Sequence, residues 1–256
     1  MLETFLILLA GGVMLAVVVS DPNQVTLNWL RLAGILALCF AGLANFWFWR
    51  SGGFVAPDLM SLIRLGMVLA IASIAMQLGL VQVAWRQMQR VCAGLATGSA
   101  IGAGIWLLHR GYPHGVTVEL LACIGIAAVV GLAMMDMLIG HAYLTASKMT
   151  MMPFRRLNVA FAASLGFRTV CSLVVVAHFI NQAHPVDRLW PRYGLLIGTR
   201  WLVGLALPAV FVYMAHDCIK RRATQSATGI LFVALVLVLI GEIIALNLVR
   251  DTGLPF

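Results

Sequence analysis

The chain has 256 residues, 62% of them apolar and only 10% charged, with a mean hydropathy of +1.00. A soluble domain is nearer half apolar and a quarter charged, so this composition excludes a soluble fold and puts the excess apolar surface in lipid. The formal charge of +8 comes without a basic stripe interleaved with aromatics, so nucleic acid is not expected as a partner.

A span needs about 20 mostly apolar residues to cross roughly 30 Å of hydrocarbon. Such stretches fall near residues 2–20, 29–49, 58–84, 91–109, 117–144, 158–181, 192–216 and 227–249. They predict an all-α polytopic transmembrane bundle of about eight spans, a single integral membrane domain over residues 1–256. The first stretch carries Glu3, lacks a basic leader and is longer than a signal-peptide apolar run, so it reads as a retained span. Punctuation separates the spans at Asp21-Pro22-Asn23, Ser51-Gly52-Gly53, Arg110-Gly111-Tyr112-Pro113, Met152-Pro153 and His184-Pro185. In the fourth span Gly94, Gly98 and Gly102 recur every four residues, a small face expected to admit a close helix neighbour. In the seventh, Pro208 removes a backbone donor and predicts a kink.

Trp29, Trp47, Trp49, Trp85, Trp106 and Trp190 lie near span ends and read as an aromatic belt. The odd-numbered loops and their flanks hold Arg31, Arg86, Arg90, Lys148, Arg155, Arg156, Lys220, Arg221 and Arg222, nine basic residues. Arg50, Arg110, Arg188, Arg192 and Arg250, five, lie on the other side. That excess puts the odd loops in the cytoplasm and both termini outside, in a bacterial-type inner membrane. None of the five cysteines forms a C-x-x-C pair, so neither a disulfide framework nor a metal centre is expected.

Charges within a bilayer are costly and usually meet a partner, a cavity or a ligand. Arg64, Asp136, Arg168, Arg200 and Glu242 lie inside expected spans. Arg64, Arg200 and Glu242 fall about two turns from the outer end, so Glu242 is expected to pair with Arg200 or Arg64, as a packing ion pair or as a polar pocket for a quinone headgroup. Arg168 stands alone near the middle of the sixth span, with Glu242, freed carbonyls or an anionic ligand as candidate partners. Asp136 and His141 lie five residues apart near the inner end of the fifth span, and His216, followed by Asp217, lies at the inner end of the seventh. His141 and His216 share a depth at which two helices can ligate a b-type haem, and with Asp136 they also suit an inward proton path. His109 and His178 share the outer end. Nucleophilic triads, Walker loops and zinc-protease motifs are absent, so a soluble-type active site is not expected.

The end of the chain reads Leu239-Ile240-Gly241-Glu242-Ile243-Ile244-Ala245, then Leu248-Val249-Arg250-Asp251-Thr252-Gly253. Its Gly241-Glu242 step resembles the last span of the DmsC and NrfD type of membrane anchor, the quinone-interacting subunits of respiratory oxidoreductases. Where those anchors continue into a Gly-Arg step, this chain has Ala245 and Leu246. The resemblance implies a subunit of a respiratory or electron-transfer complex that anchors redox partners, with Glu242 beside an outward-side quinone pocket. A small permease with buried charges along a polar path, and a structural subunit with no cofactor, are the alternatives.

Overall fold

The computed structural model describes residues 1–50, 57–83, 85–111, 116–145, 150–181 and 186–252. Nine α-helices and one π turn make up these residues, and no strand occurs among them. The helices are α1 (Leu2–Ser20), α2 (Leu27–Arg50), α3 (Pro57–Val83), α4 (Arg86–Gly111), α5 (Val116–Thr145), α6 (Met152–Asn181), α7 (Val186–Trp201), α8 (Leu207–Lys220) and α9 (Thr224–Thr252). The turn Leu202–Ala206 joins α7 to α8 in one span, so eight stretches are long and apolar enough to cross a membrane. The chain is an all-α polytopic bundle.

Two helices fill its middle. The apolar stretches of α1 and α5 are 61% and 72% buried, against 28–33% for α2, α3, α6 and the α7–α8 span. Both are apolar all round, as a helix must be when neighbours enclose it. The helices α2, α3 and α4 pack on one side of this pair and α6, α8 and α9 on the other. Lipid tails are as apolar as leucine, so close van der Waals contact between small residues holds such helices together. At the α1–α5 crossing a Cβ on Gly12 would overlap the Ala127 carbonyl, and one on Gly131 would overlap the Gly12 backbone. A Cβ on Gly11 would come 2.7 Å from that of Ala100 on α4.

The glycine row of α4 behaves otherwise. Among the described residues, nothing lies within 4 Å of a Cβ built on Gly94, Gly98 or Gly102. The face that packs carries Ala93, Ala96, Ala100 and Ala103, all fully buried, and alanine permits nearly the same approach as glycine. The spacing identifies a small face, but the alanine face is the one that meets Gly11 of α1 and Gly66 of α3. Trp29 also departs from the expected belt, since it is only 2% exposed and packs within the core. Trp47, Trp49 and Trp85 are exposed as expected of span-end anchors.

Two connections show how short loops suffice. Asp21 adopts φ 61°, and its carboxylate accepts from the backbone N–H of Asn23 and the side-chain amide of Gln24, both at 3.2 Å. Between α8 and α9, Arg222 takes φ 59°, its N–H reaching the Ile219 carbonyl at 3.1 Å while Ala223 N–H reaches Cys218 at 2.9 Å. This Schellman closure satisfies the last carbonyls of α8 and returns the chain antiparallel. Helix α6 starts six residues before the sequence expectation, at Met152 instead of 158. Pro153 sits in the first turn, where a missing N–H costs nothing, so it opens the helix instead of ending a loop. Helix α9 likewise starts at Thr224.

Candidate functional site: two buried polar clusters

Helices α6, α7 and α9 bring three charges together. Glu242 is completely buried, as is Arg200, and Arg168 is 1% exposed. The Arg168 guanidinium grips the carboxylate side-on, Nε donating to Oε1 at 3.1 Å and Nη2 to Oε2 at 3.0 Å. Arg200 Nη2 donates to the same Oε1 at 2.7 Å. Bidentate arginine–carboxylate pairing is among the strongest hydrogen-bonding arrangements a protein makes. Two guanidinium groups and one carboxylate leave a formal charge of +1, and the buried Nε and Nη1 of Arg200 have no acceptor among the described residues. A buried donor without a partner costs about 1–3 kcal/mol, and more when it is charged.

The surroundings are built to admit Arg200. Its Nη1 lies 3.0 Å from where a Cβ would stand on either Gly204 or Gly241. A Cβ on Gly204 would also come 2.6 Å from the Gly241 Cα, so α9 and the π turn touch backbone to backbone. The turn is where the chain accommodates Pro208. Leu207 N–H reaches back to the Leu202 carbonyl, five residues away. The kink expected at Pro208 is thus a widened turn just before it, with the proline in the first turn of α8. Single π turns inside α-helices are frequent at functional positions. Beside Arg168, Leu108, Ala122, Ile126, Ala245, Leu246 and Val249 line a cavity of about 10 Å³, room for one water.

The second cluster joins α5, α6 and α8. Asn158 Nδ2 donates to Asp136 Oδ2 at 3.1 Å, and His216 Nδ1 stands 3.1 Å from Asn158 Oδ1. With its amide nitrogen donating to the carboxylate, Asn158 has only an acceptor to offer the histidine, so Nδ1 carries the proton and Nε2 is the free acceptor. Asp136 is fully buried, and its Oδ1 has no hydrogen-bond partner among the described residues. Near the start of α5, buried Glu119 holds His109, with Nδ1 at 3.0 and 3.2 Å from its two oxygens.

The structure therefore brings Glu242, Arg200 and Arg168 together and separates Arg64 from them. Arg64 is exposed on α3 with its guanidinium 4.4 Å above the Trp49 ring, so the Arg64–Glu242 alternative is replaced by a cation–π contact. Similar depth permitted that pair, but Arg64 points outward from its helix. Asp136 and His216 belong to one hydrogen-bonded chain, while His141 is exposed at the end of α5. The side chains of His178, Trp190, Arg188 and Arg192, and Lys148 whole, lie outside the described residues, as do breaks 51–53, 112–113 and 184–185. Asn158 and Glu119 were not foreseeable as site residues: each falls within two residues of an expected span start, where polar side chains are ordinary. Among the described residues no group of three or more His, Cys, Asp or Glu side chains is placed to hold a metal ion. No family model, curated protein or solved structure matches the chain.

Proposed function

We propose that this integral membrane protein is a subunit of a respiratory or electron-transfer complex, and that its Arg168–Glu242–Arg200 cluster binds a quinone headgroup. One observation carries the reading: Arg200 holds two buried donor nitrogens with no acceptor among the described residues, in a cluster whose formal charge is +1. A quinone carbonyl oxygen is an acceptor, and its reduced, anionic form would be stabilised by the same excess charge. Glu242 fixes both guanidinium groups, so the site is organised before the ligand arrives and little ordering entropy is spent on binding. Such a subunit, like the DmsC and NrfD anchors, exchanges electrons with redox centres on partner chains.

The test is purification from native membranes in mild detergent, with identification of co-purifying chains and extraction of bound quinone. Stoichiometric quinone that is lost in Arg200→Gln, together with redox-cofactor subunits, supports the reading. A chain that purifies alone and quinone-free refutes it. One observation favours a second reading, a permease for a small anion: the seventh span is interrupted by a π turn next to the positive cluster. Transporters bind substrates at broken helices. Uptake of a small anion by reconstituted protein, abolished in Arg200→Gln, separates this reading from the first.

A further inference from the structure

Far along α6 from Arg168, at the helix's start, a groove of about 400 Å³ opens between that helix and the end of α1. Its mouth carries Arg155 and Arg156, and its wall is apolar, made by Val159, Ala160 and Ala163 of α6 with Val19 of α1. Arg155, Val159 and Ala163 recur every four residues, with Arg156 and Ala160 beside them at the same spacing, so they form a single stripe on one helix face. From Arg155 to Ala163 the stripe descends about 12 Å at 1.5 Å per residue. Arg156 Nη1 is 3.8 Å from Asp21 Oδ2, which ties it to the rim. Arg155 is exposed at the mouth.

A soluble ligand has no use for this shape, because its apolar wall runs down the membrane-facing side of a span. We infer that the groove is a binding site for an anionic glycerophospholipid, its phosphate between Arg155 and Arg156 and its first acyl carbons along Val159, Ala160 and Ala163. The volume lies within the range of ordinary ligand sites, about 300–1,000 Å³. Charge decides between lipids: a zwitterionic headgroup carries its own cation to the two arginines, whereas an anionic one does not. A basic residue near a membrane surface contributes about 1 kcal/mol toward anionic lipid, which corresponds to about fivefold in retention.

The experiment reconstitutes the full chain in nanodiscs of equal phosphatidylglycerol and phosphatidylcholine, extracts it gently and counts retained lipids by native mass spectrometry. Wild type is expected to retain phosphatidylglycerol in preference. Arg155→Gln and Arg156→Gln should each reduce that retention about fivefold. Val159→Trp, which fills the groove without altering charge, should abolish it; Ala163→Phe serves the same purpose if the first variant does not fold. Lys220→Gln with Arg221→Gln, outside the groove, should leave retention unchanged. Equal retention of the two lipids overturns the inference, as does an Arg155/Arg156 double variant that retains lipid like wild type. It also fails if the Lys220/Arg221 control loses as much as the groove variants, or if inorganic phosphate alone displaces the lipid.

Discussion

Replacing Glu242 by Gln leaves the shape of the side chain almost unchanged and removes the only negative charge in the triad. Three charge-assisted hydrogen bonds, of 2.7, 3.0 and 3.1 Å, converge on this carboxylate, and all three side chains are at most 1% exposed. The amide keeps one acceptor oxygen but turns two donor hydrogens toward a guanidinium, and the formal charge of the cluster rises from +1 to +2. Removing one partner of a buried ion pair costs about 3–5 kcal/mol. At 2–4 °C per kcal/mol for a chain of this size, the apparent melting temperature should fall by roughly 6–20 °C. Arg200→Gln should be much milder. It gives up one hydrogen bond and two partnerless donors, and leaves the neutral, bidentate Arg168–Glu242 pair intact. Fluorescence-detected size-exclusion after heating, in detergent and in nanodiscs, measures both. The reasoning is refuted if Glu242→Gln melts within about 2 °C of wild type, or if Arg200→Gln is the more damaging of the two.

Other substitutions probe the packing and the second cluster. Gly131→Val should destabilise the fold by upwards of about 3 kcal/mol, because overpacking here drives a side chain into the Gly12 backbone. Gly98→Ala, with open space around its Cβ, should change the melting temperature little and serves as the control in the same assay. Asn158→Leu breaks both bonds linking Asp136 to His216, and about 1–3 kcal/mol should be lost. A double-mutant cycle with Asp136→Asn measures the coupling, and strict additivity would show that the two residues do not interact. Gly241→Ala should displace Arg200 and loosen the helix crossing together, so its loss of stability should shrink when Arg200→Gln is already present.

How much of this was readable beforehand depends on which property fixes each feature. Hydropathy sets the spans, and the structure departs most from the expected boundaries at the starts of α4, α6 and α7, five or six residues early; at α6 a polar first turn and Pro153 conceal the helix start. Depth along a span is also written in the sequence, which is why Glu242 and Arg200 were paired in advance. Rotation about the helix axis is not: Arg64 shares their depth and faces outward, and Gly94, Gly98 and Gly102 form a regular row that meets no neighbour. Arg168 had Glu242 among several candidate partners, and only the approach of α6 to α9 makes the choice. Asn158 carried no signal, since an amide near a span end is unremarkable until a buried carboxylate is found against it.

The widened turn at Leu202–Ala206 has a consequence for the chain beyond it. It holds one residue more than an α-helical turn would, and one residue corresponds to roughly 100° of helical rotation. Everything from Leu207 onward is therefore dialled around relative to Arg200, which lets a single span point Arg200 at α9 and His216 at α6. Straightening the turn without shortening the chain would swing His216 roughly 100° away from α6, whereas deleting one residue of the turn should leave its two halves in phase and both polar clusters in register.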